Sequence, residues 1–187
     1  MSKIKLIHGV SVDDTQALRK EYRLDGETIE LTLSAEDYKE FFKQAVRLLP
    51  EPVFFFLEIP REDDDEGYDT YYLDNCTIPV AEAILDRYGG ILFSDGVIRF
   101  GFGSHSDGSE IYMREYQLLS VYSRYIDGFC EIAQELGYLR NDDCVSIWDI
   151  LSENNRGMRE SVERDDEGYM NIVENLAEVG MYKADRE

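Results

Sequence analysis

The 187-residue chain carries 40 Asp and Glu against 19 Lys and Arg, a formal net charge of −21, with 43% apolar and 12% aromatic residues. Such a field repels nucleic acid and anionic membrane and favours encounter with a basic protein surface or with cations. The 13 Tyr and 9 Phe need a packed interior, which excludes a disordered acidic tail, and the length suits one domain or two small ones. The surplus is uneven: residues 1–60 hold 11 acids and 8 bases, residues 61–110 hold 12 and 3, and residues 111–187 hold 17 and 8.

Near the start, residues 27–33 (ETIELTL) alternate Ile29, Leu31 and Leu33 with polar neighbours, the period of a half-buried strand. Ser34, with Asp37 as a capping-box partner, is expected to open a helix. Its stripe would be Tyr38, Phe41, Phe42, Ala45, Val46 and Leu49, with Glu36–Lys39 and Glu40–Lys43 paired on the other face and Pro50 as the stop. Val53 to Ile59 (VFFFLEI) reads as a buried strand. The composition then changes abruptly to REDDDEGYD at 61–69. The expected organisation is therefore a βαβ-like unit over 1–60, an acidic loop over 61–76, and an α+β unit over 77–187, the first and last forming two units or one continuous domain.

Residues 77–88 (TIPVAEAILDRY) read as a helix capped by Thr77 and ended by Gly89-Gly90. A meander follows: a strand from Ile91 to Phe93, a turn at Asp95-Gly96, a return over Val97–Phe102, the loop GSHSDGS at 103–109, and strands at Ile111–Met113 and Leu118–Tyr122. A further helix starts at Ser123 or Asp127 and ends at Gly137, with Phe129, Ile132, Ala133 and Leu136 inward. VSIWDIL at 145–151 is a short helix, Ser161–Met170 a hairpin, and 171–179 a closing helix. Strands joined by short turns and mixed with about four helices give an α+β fold with a mainly antiparallel sheet.

The pentapeptide DDEGY occurs at 64–68 and again at 165–169. Counting Glu163 as position 1, the second copy approaches a calcium loop with Asp165, Glu167 and Glu174 as ligands and Gly168 at position 6. Glu stands where the shorter Asp is wanted, and SENNRGMRES is a poor entering helix. The first copy, counted from Glu62, puts Leu73 at position 12. A type I turn with its Gly left-handed, between two short strands, is the preferred reading, and no cofactor is expected beyond calcium at that loop.

Ser104, His105 and Asp107 carry the letters of a hydrolase triad but are neighbours on one loop, with no G-x-S-x-G elbow, and the glycine pattern matches no phosphate cradle. His8 and His105 are too few and isolated for a transition-metal centre. Cys76, Cys130 and Cys144 form no CxxC, which fits free thiols in a reducing cytosol, and Met1–Val10 reads as neither a signal peptide nor a membrane span. Trp148, Tyr112, Tyr116, Tyr122 and Tyr125 are each more often core or half-buried sheet residues than interface anchors. Tyr71 and Tyr72, beside the acidic loop, are the better interface candidates. With Asp63, Asp64, Asp65, Glu66, Asp165, Asp166 and Glu167 they make the expected partner-binding set.

The segments ILFSDGVIRFGFGSHSDGSEIYM (91–113), SIWDIL (146–151) and NIVENLAEVGMY (171–182) resemble small acidic bacterial proteins of unassigned activity. Some of those are immunity proteins of polymorphic toxin systems. The resemblance rests on turn and strand patterns and carries over no functional residue. It implies a module that neutralises a basic toxin domain by covering its active surface; the expectation as a whole is a cytoplasmic, non-enzymatic binding protein, monomeric or homodimeric. The alternatives are an enzyme with an unrecognised carboxylate or divalent-metal site, and a duplex-DNA mimic with acids along one continuous face.

Overall fold

A computed structural model describes residues 3–62 and 67–185. Its strands are β1 (Val10–Val12), β2 (Glu21–Asp25), β3 (Thr28–Thr32), β4 (Val53–Pro60), β5 (Tyr68–Cys76), β6 (Arg99–Ser104), β7 (Glu110–Met113), β8 (Leu118–Tyr122), β9 (Leu139–Arg140), β10 (Gly157–Arg159) and β11 (Tyr182–Lys183). The helices are α1 (Tyr38–Ala45), α2 (Ile78–Leu92), α3 (Ile126–Glu135), α4 (Ile147–Ile150) and α5 (Tyr169–Ala177). Nine strands form one sheet in the order β11-β5-β4-β6-β7-β8-β3-β2-β9, and β1 pairs with β10 in a second. Among the described residues only the β2–β9 pair is parallel. The fold is α+β with a mainly antiparallel sheet, and no helix among the described residues is long and apolar enough to cross a membrane.

The period-2 pattern sorts each strand into two faces. Ile29, Leu31, Phe55, Leu57, Phe100, Phe102, Ile111 and Leu119 point inward and are buried. Over them lies α1, flanked by α2 and α3. The expected α1 stripe from Tyr38 to Leu49 is buried throughout, and Phe42 reaches Phe100 with ring centroids 5.0 Å apart. The Ser34–Asp37 box does not form, because both residues are used elsewhere. Ser34 Oγ accepts from the Lys5 amide, and the Asp37 carboxylate accepts from the Tyr138 hydroxyl at 2.8 Å and pairs with Lys20 at 2.7 Å. Glu36 likewise turns to Lys5 and Lys20, and Glu40 accepts from Gln44, so the expected Lys39 and Lys43 pairs are replaced.

Three expectations about turns are corrected. Helix α2 runs through Gly89-Gly90, so Ile91 and Leu92 are helical and no strand covers Ile91–Phe93. A helical glycine costs about 1 kcal/mol, whereas burying Ile91 and Leu92 on the stripe of Ala81, Ile84, Leu85 and Tyr88 stabilises by about 1.5–3 kcal/mol each. Burial wins. At Gly89 the missing side chain also admits the Phe93 ring, whose Cε2 would lie 2.9 Å from an added Cβ. Asp95-Gly96 is not a hairpin turn: the buried Asp95 carboxylate accepts from the amides of Val97, Ile98 and Val162.

The third correction is at 161–170, where the expected hairpin shrinks to a single bridge between Arg164 and Glu167. Asp165 and Asp166 have φ of 52° and 63°, and both therefore sit in the left-handed region, as a type I′ turn requires. Gly168 has φ of −115° and instead caps α5, which starts at Tyr169. Residues 68–76, placed by sequence in the acidic loop, are strand β5, which pairs antiparallel with β4. Strand β4 in turn pairs with β6, so residues 53–60 share one sheet with the later part of the chain.

The amino-terminal segment is tied down by Gln117. Tyr116 and Gln117 both have positive φ, which turns the chain between β7 and β8. The buried Gln117 side chain then accepts from the Ile7 amide and donates to the carbonyls of Lys5 and Leu33.

Candidate functional site

The expected partner-binding residues that are described do not share one surface. Asp63, Asp64, Asp65 and Glu66 lie outside the described residues. Tyr71 packs beside the core with the Lys183 ammonium 6.0 Å from its ring centre, so it faces away from Tyr72. Asp165 and Asp166 are exposed on their turn, and Glu167 is held by a two-pronged bond from Arg87 at 2.8 Å. That pairing keeps the Glu167 carboxyl below its ordinary range. Glu163 and Glu174 are exposed, and the segment before them is strand β10 rather than an entering helix. Among the described residues no three His, Cys, Asp or Glu side chains converge to hold a metal ion.

The loop residues keep structural partners. Ser104 Oγ accepts from the Ser106 amide, and Asp107 accepts from the amide and hydroxyl of Ser109. His105 is 77% exposed at its side chain and stacks on Phe54 at 4.5 Å. Trp148 meets Tyr116 edge-on at 4.8 Å, and the Tyr122 hydroxyl donates to Glu27.

Tyr72 belongs to the sheet face opposite α1–α3. Antiparallel register places Tyr182, Tyr72, Phe56, Gly101, Tyr112, Ser120 and Glu30 in one transverse row, from β11 to β3. One level away, Phe54, Gly103, Glu110 and Tyr122 form a second row. The two glycines are required here. A Cβ at Gly101 would stand 2.5 Å from Phe56 Cζ, and one at Gly103 would stand 2.3 Å from Phe54 Cζ. Each phenyl ring therefore lies flat over the glycine opposite it, an arrangement that shields backbone and ring together. Tyr72 closes on Phe54 at 6.0 Å and Phe56 at 6.3 Å, and Tyr112 meets Phe56 edge-on at 5.3 Å.

Carboxylates border this aromatic patch. Glu58 accepts from the Tyr112 hydroxyl at 2.6 Å and pairs with Arg99 at 3.4 Å. Arg99 also bonds Glu115, and its guanidinium lies 3.7 Å from the centre of the Tyr68 ring. Burial works against the Glu115 charge, but the bonds from Arg99 and Tyr68 hold its carboxyl below the ordinary range. Glu110 is the opposite case: burial, and then Glu58, push its carboxyl up. Burial raises the Tyr72 phenol too, and Glu58, Glu110 and Asp74 add to the effect.

Sequence reasoning found Tyr72 but missed Phe54, Phe56, Glu58 and Glu110. The alternation within VFFFLEI carried the signal, because Phe54, Phe56 and Glu58 fall on the face opposite Val53, Phe55 and Leu57. No protein-family model, curated protein or solved structure matches the chain.

Proposed function

We propose that the chain is a non-enzymatic, acidic protein-binding module that docks a basic partner on the sheet face built around Tyr72. The observation that carries this reading is the adjacency of half-buried Tyr72 and Tyr112, packed on the buried rings of Phe54 and Phe56, to carboxylates: Glu58 accepts from the Tyr112 hydroxyl, and Asp74 from that of Tyr182, whose ring neighbours Tyr72. Aromatic anchors rimmed by charge are the arrangement that binds and orients an oppositely charged protein surface. The resemblance to immunity proteins adds that the partner is a basic toxin domain, covered at its active surface. Three unpaired cysteines, two of them buried, fit action in the reducing cytosol.

The test is to isolate the partner from the native cell on the tagged chain and follow association by stopped flow. The partner should be basic, association should fall by about 10- to 1,000-fold between low and high salt, and Tyr72→Ala should abolish capture. Salt-insensitive association, or capture indifferent to Tyr72→Ala, overturns the reading.

A further inference from the structure

The edge of the large sheet at β5 is barely covered. Strand β5 runs for nine residues, and among the described residues its outer side pairs only with β11, at Tyr71 and Tyr72. The Ala184 amide adds one bond to the Thr70 carbonyl at 2.8 Å. A long edge strand with so short a neighbour is the setting in which a segment of another chain adds as a strand.

The two residues of β11 show what this edge grips. Antiparallel register sets Tyr182 opposite Tyr72 and Lys183 opposite Tyr71, on opposite faces of the sheet. On the open face the Tyr182 ring lies 6.2 Å from the Tyr72 ring, and its hydroxyl donates to Asp74, farther along β5, at 2.7 Å. On the helix-side face the Lys183 ammonium stands 6.0 Å from the Tyr71 ring centre and bonds Asp69, farther along β5 the other way, at 2.6 Å. Each β11 side chain thus meets a tyrosine directly across and a carboxylate on the diagonal, the two positions within reach between paired strands. The grip is nevertheless light. Tyr182 and Lys183 are both exposed, and an ion pair with an exposed lysine contributes little.

We propose that β11 is a resident stand-in, and that the basic partner binds by adding an extended segment in its place on the β5 edge. That segment carries an aromatic residue, set on Tyr72 and Asp74, followed by a lysine or arginine, set on Tyr71 and Asp69. This contact rests on the docking reading above and supplies the element of the partner that meets Tyr72. Charge selects the occupant: with Asp69 on one face and Asp74 on the other, an acidic segment is repelled whichever way its side chains point. A segment longer than β11 also pairs with the part of β5 that β11 leaves uncovered, which is what favours the exchange. Because β11 must leave first, the apparent affinity of the free chain is reduced to the fraction of molecules with the edge open.

The probe is acetyl-Met-Tyr-Lys-Ala amide, the sequence of residues 181–184, titrated into the full chain at low salt and followed by amide chemical shifts. A second protein, Tyr182→Ala with Lys183→Ala, loosens β11 and leaves β5 intact. The peptide should shift Asp69, Tyr71, Tyr72 and Asp74 saturably in this double variant. It should bind the unaltered chain about 10- to 1,000-fold more weakly, the range for an open state populated at about 0.1–10%. Replacing the peptide's lysine by glutamate should remove binding. Unchanged amide shifts along β6–β8 verify that the double variant is folded, and Lys183→Ala alone gives the same comparison with a smaller gain. Equal affinity for the altered and unaltered chains, shifts confined to another surface, undiminished binding of the glutamate peptide, or no binding to either variant overturns the proposal. The two readings fail separately. If Tyr72→Ala abolishes partner capture while the peptide binds neither variant, the edge site falls and the docking face stands. If the peptide binds at β5 but partner capture is indifferent to Tyr72→Ala, the docking reading falls and the edge stands as a site for a basic segment.

Discussion

Lys20 keeps its charge in a nearly sealed position, with its side chain 8% exposed. Burial opposes that charge, but the bonds to Asp37 and Glu36 outweigh it and hold the ammonium pKa above its usual 10.5. Its contribution to stability is therefore complete at neutral pH and disappears only as pH rises through that elevated value. Lys20→Met would leave Asp37, only 10% exposed, with the Tyr138 hydroxyl and no cation. The expected cost is about 3–5 kcal/mol in urea denaturation. Adding Asp37→Asn should recover part of it, and a loss below about 1 kcal/mol would mean that the pair is idle. Glu110 has the reverse sign. Its raised carboxyl pKa means that the ionised form destabilises the folded chain above that pKa. Glu110→Gln should therefore raise the melting temperature at pH 7, with the gain shrinking as pH falls through the raised pKa and gone below about 4. A destabilised Glu110→Gln at pH 7 would show that the carboxylate has a partner in the free protein.

At the scale of elements, the junction of Gly9, Gly96 and Glu160 fastens the two-stranded sheet to the end of α2. The Gly9 amide donates to the Ser94 carbonyl, the Glu160 amide to Gly9, and the Gly96 amide to Glu160. A Cβ on Gly96 would lie 1.7 Å from the Gly9 oxygen, so the backbones must part to admit one. Gly96→Ala should cost about 3 kcal/mol by overpacking and should speed hydrogen exchange at Gly9 and Glu160 first. Unchanged exchange there would mean that the three backbones are not in contact in solution. No local pattern announces a contact between residues so far apart in sequence, and Asp95-Gly96 accordingly reads as a turn. The α1 stripe and β3 were legible because each repeats one period for several residues, and the α4 stretch reads as a short helix because it is apolar on one side; its start is fixed by a Ser146–Asp149 capping box. Two-residue strands such as β9 and β11 carry no period of their own and exist only because a neighbour offers an edge. The site divides the same way. Tyr72 stood out beside an acidic run, whereas Glu110 joins the same sheet face only through the order β5-β4-β6-β7, which no local signal encodes.

For the whole molecule, the question is which charge effect dominates. Pairing all 19 cations would still leave 21 anions unmatched, so repulsion exceeds attraction at long range. Visible pairs such as Arg23–Glu30, Arg47–Glu82 and Arg140–Asp142 involve exposed cations and contribute about 0–1 kcal/mol each. Salt weakens both, but it acts hardest on charges separated by more than the screening length. That length falls from about 30 Å at 0.01 M to about 8 Å at 0.15 M. The free chain should therefore melt at a higher temperature as sodium chloride rises over that interval, with the rise levelling off once only near neighbours still interact. Association with a basic partner draws on the same long-range field with the opposite sign, so its rate should fall over the same interval. Calorimetry of the free chain and stopped flow on the complex thus make a paired measurement. If the melting temperature falls with salt, the local ion pairs outweigh the surplus, and the net charge cannot be the source of steering. If it rises while association slows, one electrostatic field accounts for both the strain on the free protein and its attraction to a cationic surface.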